Sequence, residues 1–241
     1  MRLTDFKVLT FDCYGTLIDW ESGIHAALQP LLAAAKNGLS REAALAAFAQ
    51  HESDQEKATP KMVYSELLAT VHRRLARDWN ADIADAAHLS FGESVGDWPA
   101  FPDSAPALRY LKEHYKLVIL SNVDRASFAR SNKKLGVDFD AICTAQDIGS
   151  YKPDPRNFEF MLEKLAVLGF GKRDILHTAQ SLFHDHGPAN RMGLASAWID
   201  RRHDQEGWGA TVKPSGTPRY DFHFTSMAEF ADAHRKEQAA S

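Results

Sequence analysis

The fold is decided by the segment Lys7-Val8-Leu9-Thr10-Phe11-Asp12-Cys13-Tyr14-Gly15-Thr16-Leu17. It begins as a short, mostly apolar run, ends that run at an acid and then reaches a glycine, which is the pattern of a buried parallel strand that delivers a side chain into a loop. A second run of this kind, residues 116–122, also ends on polar residues. Parallel sheets place their functional residues at the carboxyl ends of the strands, so Asp12 is the first candidate for chemistry.

From about residue 100 onward, short apolar runs alternate with helical patterns. Further strands are predicted at residues 141–144, 175–179 and 195–199, and helices at residues 104–114, 125–135, 156–168 and 188–192. This alternation predicts βαβ units and therefore an α/β fold with a Rossmann-like, doubly wound parallel sheet.

Residues 20–95 break that alternation, because Ala, Leu, Glu and Gln dominate and the apolar residues recur at helical spacing. Two breaks between helices are predicted, at Thr59-Pro60 and at Asn80-Ala81-Asp82. We therefore expect an all-helical cap domain at 20–95, inserted into a core domain formed by residues 1–19 and 96–241.

Composition excludes several classes of protein. The chain has 241 residues, with 28 Lys and Arg against 32 Asp and Glu, and the net charge of −4 argues against nucleic acid or an anionic membrane as a partner. No stretch approaches the roughly 18 apolar residues of a spanning helix, and the N-terminus has no apolar signal-peptide core. With only two cysteines, we expect no disulfide framework and a cytoplasmic location.

Three further segments carry candidate functional residues. Ser121-Asn122 closes the second strand, Lys152 lies in the proline-rich loop 149–155, and Asp185 follows the fourth strand. Together with the Asp12 segment, these four motifs resemble those of the haloacid dehalogenase superfamily of aspartate-nucleophile hydrolases, in the same order along the chain. A helical insertion after the first motif adds to the resemblance.

The resemblance implies a role for each of these residues. Asp12 is the expected nucleophile, since a carboxylate can form a covalent ester and so divide one difficult displacement into two easier steps. Lys152 is expected to hold that carboxylate and to offset its repulsion of an anionic substrate. Asn122 and Ser121 offer hydrogen bonds to a substrate carboxylate or leaving group, and Asp185 is expected to orient the hydrolytic water.

The first motif also departs from the phosphatases of the superfamily. They carry a second acid two residues after the nucleophile, where this chain has Tyr14, and Mg²⁺ prefers several hard oxygen ligands. We therefore expect no metal and no other cofactor. Tyr14, Thr16 and Trp20 are expected to contribute to substrate binding, and Thr16 also to orient Asp12; for Trp20, packing is the alternative.

An Asp-x-Tyr-Gly-Thr-Leu motif is similar to that of the L-2-haloacid dehalogenase branch, which implies displacement of a group from C2 of a small carboxylic acid. Residues 11–20, 174–179 and 184–186 are similar to those of L-azetidine-2-carboxylate hydrolases. No counterpart of the halide-binding arginine is found after Trp20. The expected reaction is either ring opening of L-azetidine-2-carboxylate or dehalogenation of an L-2-haloacid, with a magnesium-dependent phosphatase as the alternative.

Some features stay open at this stage. His177, His184 and His186 are close in sequence, but they lack the supporting carboxylates or thiols of a metal site, and a role in orienting Asp185 is the other interpretation. The expected partners are a small carboxylate substrate and water. An apolar helical cap also leaves a homodimer open, although such a face more often packs inward.

Overall fold

The computed structural model describes residues 1–214 and 216–240. Within them, six strands form one sheet in the order β3-β2-β1-β4-β5-β6, and every neighbouring pair is parallel. The strand order reverses between β1 and β4, which confirms the doubly wound arrangement predicted from the sequence. The strands are β1 Val8–Phe11, β2 Lys116–Ser121, β3 Ala141–Thr144, β4 Ile175–Ala179, β5 Ala195–Ile199 and β6 Phe222–Phe224.

The central strands are buried on both faces. Every residue of β1 and β4 is buried, and in β2 only Lys116 is exposed. Strands covered by helices on both sides read as continuous apolar runs, which is why these strands are recognisable from the sequence. The helices that follow β1 in the core are α5 Ser104–Lys112, α6 Arg125–Leu135, α7 Ala145–Ile148, α8 Pro155–Val167, α9 Gly187–Met192 and α10 Met227–Ala239.

Four helices occupy the segment between β1 and α5. They are α1 Trp20–Ala35, α2 Arg41–Ala58, α3 Tyr64–Asp78 and α4 Asp85–Glu93. The helix ends fall where the sequence predicts breaks, just before Thr59-Pro60 and Asn80-Ala81-Asp82. The segment is therefore helical, as expected, while its boundaries as a cap domain at residues 20 and 95 stay a prediction. No helix among the described residues combines the length and apolar character needed to cross a membrane.

The two connections of this helical insertion lie side by side. Ile18 and Ala100 form an antiparallel bridge, and the backbone N–H of Asp19 donates to the carbonyl of Pro99 at 2.8 Å. The Asp19 side chain then caps α1 by accepting from the backbone N–H of Ser22 at 3.2 Å. The chain thus leaves the sheet and returns to it at one paired point.

Trp98, in the returning connection, packs directly on α1. A Cβ added at Gly23 would lie 2.2 Å from Trp98 Cγ, far inside van der Waals contact. Gly23 therefore lets the indole ring approach the helix backbone.

We predict that Gly23→Ala destabilises the protein by about 1–3 kcal/mol through overpacking, although alanine is the better helix former by about 1 kcal/mol. Chemical denaturation measures the change. The matched control, Ala26→Gly at an exposed position of α1, should cost only about 1 kcal/mol through helix propensity. A gain in stability from Gly23→Ala would contradict the packing described here.

Candidate active site

The candidate site lies where the strand order of the sheet reverses. Asp12 directly follows β1, and its backbone N–H donates to the carbonyl of Thr178 in neighbouring β4 at 3.1 Å. Its side chain is almost entirely buried, yet it forms part of the wall of a small cavity of about 30 Å³, enough to hold water. The sheet therefore presents this carboxylate to a cavity at the expected place.

Lys152 connects the two predicted acids. Its ammonium group lies 2.9 Å from Asp12 Oδ1 and 2.7 Å from Asp185 Oδ1, and it also donates to the backbone carbonyl of Leu120 at 3.0 Å. All three of its N–H groups are therefore used, and the side chain is only 2% exposed. The structure thus brings Asp12, Lys152 and Asp185 together as one buried, hydrogen-bonded group.

Asp185 has a second partner, His177, which lies within β4. His177 Nε2 lies 2.9 Å from Asp185 Oδ1, and His177 Nδ1 lies 2.8 Å from the hydroxyl of Thr10. Because a carboxylate only accepts, we assign the hydrogen to Nε2, which leaves Nδ1 to accept from Thr10. His177 therefore orients Asp185, one of the interpretations left open by the sequence.

The remaining oxygen of Asp185 is free for a ligand. Asp185 Oδ2 is buried and has no hydrogen-bond partner among the described residues, although Asp185 forms part of the pocket wall. An unpaired buried carboxylate oxygen is costly, so a water molecule in the pocket is a natural partner for it. Asp12 and Asp185 thus line the same pocket, and one oxygen of Asp185 is without a protein partner there.

The three charged groups shift one another's pKa values. Burial raises the pKa of Asp12, and the Lys152 charge opposes this. For Asp185, burial also acts upward, but Lys152 and His177 outweigh it and hold the pKa below its ordinary value. Burial acts to lower the pKa of Lys152, yet the two carboxylates raise it overall. Lys152 is therefore a permanent cation, and its charge favours the ionised, nucleophilic form of Asp12.

Asn122 and Ser121 differ in what they offer to a ligand. The Asn122 side chain accepts from the backbone N–H of Lys152 at 2.7 Å and donates to the Lys152 carbonyl at 3.0 Å. Its amide also donates to Glu56 Oε1 at 3.0 Å. Asn122 is thus engaged in positioning its neighbours, whereas the buried Ser121 hydroxyl lines the pocket without a partner among the described residues.

Thr16, Tyr14 and Trp20 take different places. Thr16 is fully buried and does not line the pocket; its hydroxyl donates to Asp12 Oδ2 at 2.8 Å and accepts from the backbone of Gln180 at 2.9 Å. It therefore orients Asp12, and the structure does not place it among groups that contact substrate. Tyr14 and Trp20 both line the pocket. The Tyr14 hydroxyl is engaged with that of Ser131 at 3.0 Å.

The helical insertion supplies two acids to the pocket that the sequence did not reveal. Glu52 and Glu56 lie one turn apart on α2, and both are buried in the pocket wall. The hydroxyl of Tyr64 donates to Glu52. Burial raises the pKa of Glu52 to about 8, and burial together with neighbouring Glu52 raises the pKa of Glu56 well above its ordinary value. Burial therefore favours the protonated, uncharged form of both carboxyl groups.

The other two histidines contact different groups. His184 Nδ1 lies 3.1 Å from the Ser181 hydroxyl, and its Nε2 faces Glu56 at 3.9 Å. Burial lowers the pKa of His184 to about 4, so the ring is neutral at pH 7. His186 bonds to the Ser196 hydroxyl and to the Ala179 carbonyl, each at 3.0 Å. Neither ring is hydrogen-bonded to Asp185, and no group of three or more candidate metal ligands is found within the described ranges.

Comparisons with known proteins show the family of the chain. A family model described as haloacid dehalogenase-like hydrolase matches residues 6–177. The (S)-2-haloacid dehalogenase 4A of Burkholderia cepacia is 25% identical over 203 residues, which cover 81% of this chain and 84% of that protein.

Solved structures share the fold across nearly the whole chain. The L-2-haloacid dehalogenase of Xanthobacter autotrophicus with chloropropionic acid covalently bound has a TM-score of 0.77 at 17% identity, covering 95% of this chain and 98% of that one. A defluorinating L-2-haloacid dehalogenase has a TM-score of 0.77 at 22% identity, covering 98% and 99%. Since the family model spans most of the chain and the pocket lies at its first motif, the protein belongs to the haloacid dehalogenase-like hydrolases and resembles their L-2-haloacid dehalogenase branch.

Proposed function

We propose that the protein hydrolyses small 2-substituted carboxylic acids by displacement at C2, through an ester with Asp12. The observation that carries the proposal is the buried Lys152 ammonium, which clamps Asp12 and Asp185 at the pocket wall. The ammonium charge opposes the effect of burial on the pKa of Asp12 and so favours its ionised form, which is the nucleophilic one. No divalent cation is needed for this displacement.

The second half of the reaction would use Asp185. Its unpaired Oδ2 can accept a hydrogen bond from a water molecule, and the water then attacks the carboxyl carbon of the Asp12 ester. The bond between that carbon and the former Asp12 oxygen, now attached to C2, breaks, and the departing alkoxide takes a proton from the water. A 2-hydroxy acid is released, and Asp12 is restored with one oxygen from water. The proposed contact for the substrate carboxylate is Ser121, whose buried hydroxyl has no partner among the described residues.

Two leaving groups are candidates, each for its own reason. Halide is favoured by the name of the relative from Burkholderia cepacia, a haloacid dehalogenase. A ring amine, as in L-azetidine-2-carboxylate, is favoured by the pocket, whose wall holds Glu52 and Glu56 and, within the described part of the chain, no lysine or arginine besides Lys152.

A magnesium-dependent phosphatase is the weaker alternative. The residue two positions after Asp12 is Tyr14, whose pKa burial raises well above its ordinary value, and its hydroxyl already bonds to Ser131. It therefore supplies no acid for a phosphoryl leaving group. Lys152 engages Oδ1 of Asp12 and of Asp185, and Thr16 donates to Oδ2 of Asp12, so Asp185 Oδ2 is the one oxygen of the two described acids left for a cation.

We predict that single-turnover hydrolysis in H₂¹⁸O places the label on the Asp12 carboxylate, because water attacks the ester carbonyl rather than C2. Mass spectrometry of the peptide that contains Asp12 measures this. Label found only in the released hydroxy acid would contradict the ester route. Asp12→Asn should reduce turnover to the uncatalysed rate.

We predict that Lys152→Met lowers the free energy of unfolding at pH 7 by about 3–5 kcal/mol, because it leaves two buried carboxylates without a cation. Adding Asp185→Asn should recover part of this loss. In Lys152→Met the folded-state pKa of Asp12, which burial already raises, rises further, and the pKa of Asp185 rises above its unfolded value, so the loss of stability should shrink as pH falls through those raised pKa values. A loss of unfolding free energy in Lys152→Met that does not change with pH would contradict the electrostatic role of Lys152.

We predict that the protein converts L-azetidine-2-carboxylate or L-2-chloropropionate equally well with and without EDTA. Product formation is followed by chromatography, and p-nitrophenyl phosphate serves as the comparison substrate. Phosphate release that collapses with EDTA would support the phosphatase instead. If the protein converts neither of these two substrates, displacement at C2 is left without support.

A further inference from the structure

Thr211 lines the pocket from a part of the chain that no sequence motif indicated. It lies in the connection between β5 and β6, residues 200–221, and it is 4% exposed. Its hydroxyl is buried and has no hydrogen-bond partner in the part of the chain that the structure describes. Because an unpaired buried hydroxyl costs free energy, this position indicates a partner that comes from outside the chain.

The pocket wall contains three further buried polar atoms that lack a partner within residues 1–214 and 216–240. They are the Ser121 hydroxyl, His184 Nε2 and Asp185 Oδ2. Asp185 Oδ2 is a carboxylate oxygen and only accepts hydrogen bonds, whereas the hydroxyls of Ser121 and Thr211 can donate. The wall therefore offers hydroxyl donors that are not used inside the protein.

These donors match a carboxylate better than any other group of the proposed substrates. Within the described part of the chain, Lys152 is the one lysine or arginine in the pocket wall, and its ammonium group is already shared by Asp12 and Asp185. A third carboxylate in the pocket must therefore be held by uncharged donors. A carboxylate accepts several hydrogen bonds, and those it accepts are stronger than bonds between neutral groups.

The small size of the pocket brings a bound molecule against its walls. The volume of about 30 Å³ is close to the space that water occupies in the liquid. A small carboxylic acid is larger than one water molecule, so once bound it lies against the pocket walls. Thr211 is one of the residues that such a molecule meets.

Glu21, the second residue of α1, holds the backbone beside Thr211. Its Oε1 accepts from the backbone N–H of Ala210 at 3.0 Å, and its Oε2 accepts from the guanidinium of Arg202. Gly209 has a φ of +57°, and a Cβ added there would lie 1.7 Å from Glu21 Oε1. The connection is therefore fixed to the helical insertion immediately before Thr211.

We propose that the Thr211 hydroxyl donates a hydrogen bond to the carboxylate of the substrate, and that Glu21 is a positioning residue that holds Thr211 in the pocket wall. The inference rests on the proposed hydrolysis of small carboxylic acids. It concerns the group that all the candidate substrates share, so it does not depend on the leaving group. The insertion acts here on substrate binding through a residue of another segment.

Propionate is the probe, because it has the carboxylate of the proposed substrates and no leaving group. A ligand that binds only the folded state raises the unfolding temperature, so thermal unfolding of the full chain over a range of propionate concentrations, at constant ionic strength, measures its Kd. Thr211→Val removes the hydroxyl at nearly constant shape, and Thr211→Ser keeps a hydroxyl. Thr217→Val is the matched control, since it makes the same change at an exposed position of the same connection.

We expect Thr211→Val to raise the Kd of propionate by about 10–100-fold, the effect of losing a hydrogen bond to a charged group. Thr211→Ser and Thr217→Val should bind propionate nearly as well as the wild type. Without propionate, Thr211→Val should unfold at the wild-type temperature or above it, because valine removes a buried polar group that has no partner. With substrates, Thr211→Val should raise KM and leave kcat nearly unchanged, since the carboxylate does not react.

A double-mutant cycle tests the positioning role of Glu21. Glu21→Gln should raise the Kd of propionate, because a glutamine side chain cannot accept from Ala210 and Arg202 on separate oxygens. In the Thr211→Val background, the same substitution should have no further effect on this Kd. An equal effect of Glu21→Gln in the two backgrounds would show that Glu21 does not act through Thr211.

The contrary results separate this inference from the proposed function. The inference is wrong if Thr211→Val binds propionate as tightly as the wild type, or if propionate does not stabilise the wild type. It is also wrong if Thr211→Val without propionate unfolds at a lower temperature than the wild type, because the hydroxyl then has a structural role.

Formation of the Asp12 ester tests displacement at C2 independently of these measurements. Mass spectrometry follows the ester in the wild type with L-2-chloropropionate and with L-azetidine-2-carboxylate. If neither substrate forms it, the proposed function fails, while binding of a carboxylate at Thr211 is still measured with propionate. If the ester forms and Thr211→Val leaves the Kd of propionate unchanged, the proposed function stands and this inference fails.

Discussion

The site depends on one buried ammonium group. Lys152 is removed from water and placed between Asp12 and Asp185, and a lone charge at such depth would be prohibitively costly. Each member of the group is therefore stable only while the others are in place. Because the three residues come from loops that follow different strands, the parallel sheet must hold the ends of these strands in register for the group to exist.

The three charged residues of this group could be predicted from the sequence. Asp12 and Asp185 come soon after buried strands whose apolar runs are visible in the sequence, and Lys152 is followed in its loop by two prolines, Pro153 and Pro155. The four motifs also occur in the same order along the chain as in the family that they resemble, which made the prediction stronger. By contrast, β6 is three residues long and α10 has no clear apolar stripe, so neither element was identified.

Glu52 and Glu56 were not predictable for a different reason. They lie in the sequence His51-Glu52-Ser53-Asp54-Gln55-Glu56, which reads as the solvated face of a helix. Their burial arises only from tertiary packing, because Tyr64 covers Glu52 and Asn122 bonds to Glu56. For Thr16 the hydrogen bond to Asp12 Oδ2 agrees with the expectation that it orients the nucleophile. Its expected contact with substrate stays a prediction, and Thr16 is not part of the pocket wall.

The paired point at which the insertion leaves and rejoins the sheet has an evolutionary consequence. Ile18 and Ala100 are bridged, so the ends of the intervening segment are neighbours and contribute little to the spacing of β1 and β2. A recombination event that exchanges this segment would swap one pocket wall as a block and leave the nucleophile and its lysine intact. Chemistry and selectivity are in this way inherited separately, which allows one hydrolytic scaffold to acquire new substrates without rebuilding its reactive centre.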